Sequence, residues 1–221
     1  MAGVVIHLAV ADKSAEKLGV KNIPLYFAGN IAPDCVHARE NYEREMKRHT
    51  HFKDGIRDWD FLEPENLEVF HRRLDEFAQK YCSEGEDREL YTGYLSHLIT
   101  DELFIREIRS ECVIKAGEYG ISQTDREFFG FMMRELNWSD AFTAENYSFR
   151  SAPVETLRKA YGCRVEDYIS ADEIISSTEW ICQNFFSGKK QYEPALLMNP
   201  ARIGYFIDSA ADEVTLRIKV L

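Results

Sequence analysis

The sequence predicts an all-α protein, a compact multi-helix bundle, on three observations. Most of the chain spaces its apolar residues by three and four, as an amphipathic helix does. Helix-entry signals recur: Thr124-x-x-Glu127 and Ser170-x-x-Glu173 have capping-box form, and Pro64 and Pro153 stand where a first helical turn tolerates proline. No heptad register is sustained, which favours a bundle over an extended coiled coil. The 221 residues, 45% hydrophobic and 29% charged, can bury a sizeable core and read as a single domain over 1–221.

Taken in order, the first helix is Val4–Leu18, within an apolar opening that carries His7. Helices at Cys35–His49 and Glu65–Tyr81 follow, the second entered at Pro64. A long helix, Arg88–Glu118, contains Gly93-Tyr94-Leu95-Ser96-His97-Leu98-Ile99-Thr100-Asp101. Thr124–Leu136 starts at the first capping box and has Phe128, Phe129 and Phe131 at core spacing. Val154–Tyr161 follows Pro153, Ala171–Phe186 follows the second box, and Ala201–Val214 comes last. Breaker-rich or polar stretches at Gly29–Asp34, His51–Pro64, Ser83–Asp87, Thr143–Pro153 and Ser187–Pro200 read as loops. The closing run Thr215–Leu221 looks strand-like.

The 27 Lys+Arg against 38 Asp+Glu leave a formal charge of -11, which opposes long nucleic acids and anionic lipid as partners. Five cysteines, an odd number with no Cys-x-x-Cys, point to reduced thiols in a cytoplasmic protein. The apolar Ala2–Ala11 run has no basic residue before it and a histidine within, so it reads as retained rather than as a signal peptide. No apolar run approaches the roughly 20 residues that a membrane span requires.

The sharpest chemical feature is His97 with Asp101. Four apart on a helix, they share a face and can ligate one ion, and Gly93 one turn earlier lets another backbone approach. A buried His–Asp hydrogen bond that locks a helix pair explains the same two residues, so further ligands decide between the readings. Candidates are His7, Asp34 and the His49-Thr50-His51-Phe52 segment, each beside apolar residues. His37 or His49 can stand in for His51. Glu107 and Glu111, four apart, offer oxygen ligands, but Arg106 and Arg109 make them an ordinary charged face. His71, beside Arg72 and Arg73, reads as a surface residue. There is no Gly-x-Ser-x-Gly elbow, phosphate loop, Gly-x-Gly-x-x-Gly turn or His-Glu-x-x-His helix.

The segments Ile6-His7-Leu8-Ala9, Tyr26-Phe27-Ala28-Gly29-Asn30-Ile31-Ala32-Pro33-Asp34, His51-Phe52 and Gly93-Tyr94-Leu95-Ser96-His97 with Asp101 together resemble the zinc-dependent phospholipase C-like family, which is also similar to the single-strand-specific zinc nucleases. The resemblance spans roughly the first half of the chain. It implies an all-helical fold with one divalent ion among Asp34, His51, His97 and Asp101, and a second held between Asp101 and His7. Enzymes of that family carry two more histidines and a glutamate after the His-x-x-x-Asp helix, whereas no histidine follows His97 here. The implied member has a reduced ligand set of one or two ions, zinc foremost, with iron, manganese and nickel also compatible with mixed nitrogen and oxygen donors.

The expected function is a metal-dependent hydrolase acting on a small phosphoester, a phosphodiester first, with a metal-activated water. Asp34 is the candidate proton acceptor, and Arg48 or Lys53 a candidate phosphate contact. A non-catalytic helical protein with a structural or sensory metal site is the alternative, and a metal-free scaffold with hydrogen-bonded core groups is the third reading.

Overall fold

The computed structural model describes residues 2–82, 85–188 and 192–221, and among these it is an all-α bundle without strands. Ten α-helices are named in chain order: α1 (Val4–Leu18), α2 (Ile23–Cys35), α3 (Arg44–Thr50), α4 (Pro64–Tyr81), α5 (Arg88–Phe104), α6 (Ser110–Gly117), α7 (Arg126–Asn146), α8 (Pro153–Arg158), α9 (Ala171–Ile181) and α10 (Pro200–Ile218). A wider π-turn at Ile105–Arg109 joins α5 to α6, so the long predicted helix is present with one irregular turn inside it. No helix is long and apolar enough to cross a membrane.

The centre is α5, buried on nearly every side over Leu90–Phe104, with α2 packed along it. Two glycines set how close these helices come. A Cβ on Gly29 would lie 1.8 Å from the Leu90 carbonyl oxygen, and one on Gly93 would lie 2.1 Å from that of Tyr26. Only the absence of both side chains lets the two backbones touch. Around this pair α1 and α10 cover one side, α4 packs on α5, and α8 and α9 pack on α2. Tyr26, Phe27, Ile31, Tyr94, Leu98 and Ile99 fill the contact and are essentially inaccessible. At about 25 cal/mol per Å2 of apolar surface, each large side chain there stabilises the fold by roughly 2–3 kcal/mol.

Several expectations are corrected. Gly29–Asp34, read as a loop, lies within α2, because Gly29 serves close packing and Pro33 stands one turn from the helix end, where the lost N–H costs one bond. The helix expected over Cys35–His49 is instead a single 3-10 turn, Val36–Ala38, an irregular stretch with Asn41 at φ 58°, and the short α3. Helix α7 runs ten residues beyond Leu136, because its inward positions there are polar. Glu135, Ser139, Asp140 and Thr143 continue the buried stripe begun by Phe128 and Met132. Asp125, not Thr124, precedes α7, with no side-chain cap, whereas the Ser170–Glu173 capping box is complete. Thr215–Leu221 is not a strand: α10 runs to Ile218, and Thr215 donates its hydroxyl to Ala211 O, as helical Thr does. Phe129 is 69% exposed rather than in the core. The loops expected at Ser83–Asp87 and Ser187–Pro200 include residues 83–84 and 189–191, which lie outside the described residues.

Candidate metal centre

Separate elements deliver the five candidate residues to one place. His7 stands on α1, whose entry is fixed by Asp140 of α7. That carboxylate accepts from Val5 N and Ile6 N at 3.0 and 3.1 Å, satisfying two of the free amides of a helix start. Asp34 lies in the last turn of α2, and His97 and Asp101 lie one turn apart on α5.

His51 closes α3 through a Schellman turn. Phe52 N donates to His49 O at 3.1 Å and Lys53 N to Arg48 O at 2.8 Å. The left-handed position this turn needs, usually glycine, is Phe52 at φ 57°. A non-glycine residue there costs about 1 kcal/mol or more. Its ring offsets that by packing among Phe77, Tyr94 and Tyr168. The turn pivots His51 inward, and Tyr94 fastens it by donating its hydroxyl to Thr50 O at 2.5 Å.

The side chains converge closely. His51 Nε2 lies 3.3 Å from His97 Nε2, 3.4 Å from Asp34 Oδ1 and 3.5 Å from Asp101 Oδ2. His97 Nε2 is 3.9 Å from Asp101 Oδ2, and His7 Nε2 is 3.2 Å from Asp101 Oδ1. The His7 and His97 rings are stacked, with centroids 3.7 Å apart. Two overlapping groups therefore have donor atoms all within 4.8 Å of one another: Asp34, His51 and His97, and His7, His97 and Asp101. Either group could hold a metal ion.

The tautomers fit that use. His97 Nδ1 meets the Asn30 carbonyl oxygen at 2.7 Å, and His51 Nδ1 meets the Lys47 carbonyl oxygen at 2.9 Å. A carbonyl only accepts, so each Nδ1 carries the hydrogen and each neutral ring turns a bare Nε2 lone pair toward the other. Two acceptors 3.3 Å apart in a dry interior repel unless a cation or a proton lies between them. A tetrahedral ion about 2.0–2.1 Å from each nitrogen sets neighbouring ligand atoms about 3.3 Å apart. Asp101 Oδ2 and His7 Nδ1 are also buried without a hydrogen-bond partner, as is Asn30 Oδ1.

Electrostatics prepares the same state. Burial holds the imidazoles of His51 and His97 below the ordinary histidine range, His97 well below it with help from His7. Burial alone would raise Asp34, but the Lys47 ammonium, 2.5 Å from Oδ1, and the histidine contacts led by the His51 hydrogen bond together outweigh it and hold the carboxyl well below the usual range. Burial also pushes Asp101 upward, yet its carboxyl lies well below the usual range, helped by the His7 hydrogen bond. His51 and His97 are thus held neutral and Asp34 and Asp101 ionised, the forms that bind metal.

Burial divides the two groups. His7, His97 and Asp101 are 1% exposed or less, whereas the Asp34 side chain is 22% exposed. Access is from the Asp34 side, where His37 is half-exposed and 4.0 Å from Asp34 Oδ1.

The alternatives to His51 fall elsewhere. His37 Nε2 meets Lys47 Nζ at 3.0 Å at the rim, and His49 is exposed and hydrogen-bonded to Asp54. Glu107 and Glu111 both pair with Arg202 of α10, as a charged face does. His71 is half-exposed, but its Nε2 lies 2.9 Å from the buried Glu102, which also receives Arg106 and Arg217. Two contributors went unread in the sequence. Asn30 acts through its backbone carbonyl, which carries no side-chain signal. Lys47 sits four residues before His51, one helical turn away, a spacing that could have marked it. Comparison with protein-family models, with curated proteins and with solved structures finds no match for this chain.

Proposed function

We propose that the chain is a metal-dependent hydrolase of phosphoric esters whose ion is held by Asp34, His51 and His97, with Asp101 and His7 behind them. The observation that carries the reading is the 3.3 Å pair of Nε2 atoms, on rings whose Nδ1 hydrogens are committed to backbone carbonyls, beside a carboxylate that solvent can reach. When bound, a divalent ion supplies a water acidified toward neutrality and a counter-charge for phosphoryl oxygens. Asp34, ionised and partly open, would be the group able to accept a hydrogen bond from such a water and orient it. Asn30 and Lys47 hold the two imidazoles in the ligating tautomer through their carbonyls. The short-motif likeness to the zinc-dependent phospholipase C-like family supports the same reading, with zinc as the first choice of ion.

The burial of His7, His97 and Asp101 favours a second reading, a closed ion that clamps α1 to α5 without turnover. One experiment separates the two. The protein, purified without a histidine tag, is analysed for metal and assayed on bis-p-nitrophenyl phosphate and p-nitrophenyl phosphate before and after chelation, and again as Asp34→Asn and Asp101→Ala. Turnover of either ester that vanishes on chelation and in both variants supports the hydrolase. Stoichiometric metal with no turnover of either supports the clamp.

A further inference from the structure

Four basic side chains lie on α3 and the turn that ends it, Arg44, Lys47, Arg48 and Lys53, in a protein whose formal charge is -11. Three are paired: Lys47 with Asp34, Arg44 with Asp58, and Arg48 with Glu45. Lys53 is the outlier. It is 4% exposed, and its ammonium sits 4.2 Å above the Phe61 ring, with no carboxylate within ion-pair distance among the described residues. Its stem is buried and only the ammonium end retains any contact with solvent, so the charge is poorly solvated, meets no anion and is open to one. Lys53 also ends the Schellman turn that places His51, so the backbone geometry that delivers the ligand delivers this charge. The carboxylates that act most on it are Asp101 and then Asp58. Arg48 adds a buried Nε with no acceptor.

We propose that Lys53, seconded by Arg48, binds a terminal phosphate dianion at the centre, so that the substrates are phosphomonoesters rather than diesters. The inference rests on the phosphoester reading above and narrows it. A diester carries one negative charge and two free oxygens. A monoester at neutral to alkaline pH carries a second charge and a third free oxygen, which can match a poorly solvated lysine through a charge-assisted hydrogen bond. Replacing that third oxygen with an alkoxy group leaves the Lys53 charge unmatched and brings bulk against Phe61.

The test is calorimetric binding of inorganic phosphate and of dimethyl phosphate to the purified protein at pH 8, alongside hydrolysis of p-nitrophenyl phosphate and its bis ester. Phosphate is expected to bind at least tenfold more tightly than dimethyl phosphate. Lys53→Met should lose at least tenfold in phosphate affinity at unchanged metal content and melting temperature, and Lys53→Arg should recover part of it. Equal affinities for the two anions, no phosphate binding at millimolar concentration, or full phosphate affinity in Lys53→Met overturns the proposal. The comparison of the two anions on unaltered protein stands even where a variant fails to fold. Lys53-dependent phosphate binding with neither ester hydrolysed would defeat the hydrolase reading alone. Diester hydrolysis without preferential phosphate binding would defeat this inference alone.

Discussion

His51 Nε2 and His97 Nε2 face each other at 3.3 Å from residues 46 positions apart, each ring fixed by a carbonyl on its other nitrogen. Two such acceptors repel unless a cation or a proton lies between them, and the groups that hold them in place are packed too tightly to swing apart.

Chelation should destabilise the protein. An ion that binds only the folded state at a thousandfold over its dissociation constant contributes about 4 kcal/mol. For a chain of this length that is roughly 8–16 °C in melting temperature. Differential scanning calorimetry with and without chelator measures it, and an unchanged midpoint would show that no ion is coupled to folding.

Gly93→Ala should be severe, since its methyl would meet the Tyr26 carbonyl rather than a movable side chain. Overpacking against backbone costs about 3 kcal/mol or more. The shift of α2 would also move the Asn30 carbonyl from His97, so urea melts and metal content should fall together. Gly130→Ala, which meets nothing, is the control.

Phe52 predicts an inverted ranking. Removing the ring should cost about 3 kcal/mol either way. Because the residue is left-handed, Phe52→Gly should be about 1 kcal/mol more stable than Phe52→Ala, the reverse of the usual order. Equilibrium denaturation of the two variants decides it.

Burial pushes the Asp140 carboxyl up to about 7, against the hydrogen bonds it accepts from the start of α1. The unfolded carboxyl titrates near 3.9, so between about pH 4 and 7 the folded state holds the extra proton. This group's contribution to stability is therefore greatest below pH 4 and declines as pH rises through 7. In unfolding titrations over pH 5–8, Asp140→Asn should lose less stability with rising pH than the parent, by on the order of 1 kcal/mol per pH unit below 7. Parallel pH profiles for the two proteins would refute the assignment.

The sequence made the bundle legible because apolar spacing along the chain agrees with entry signals such as those at Pro64, Pro153 and Ser170. It also suggested the candidate ligands, since His7, Asp34, His51, His97 and Asp101 are each polar within apolar surroundings. What it hid has specific causes. Helix α2 was concealed by Gly29 and Pro33, residues that usually break helices and here permit close approach. The end of α7 was concealed by buried Glu135 and Asp140, whose carboxylates are satisfied by backbone amides from other segments. The turn that aims His51 was concealed because Phe52 occupies a conformation that glycine normally announces. The uncommitted charge of Lys53 emerges only from burial, which spacing does not convey.

The most direct measurement is anomalous scattering from crystals of the zinc-loaded protein, collected above and below the zinc edge. A peak is expected within about 2.1 Å of both His51 Nε2 and His97 Nε2. No peak there at saturating zinc, with Lys47 still seated on Asp34, would contradict a shared ion.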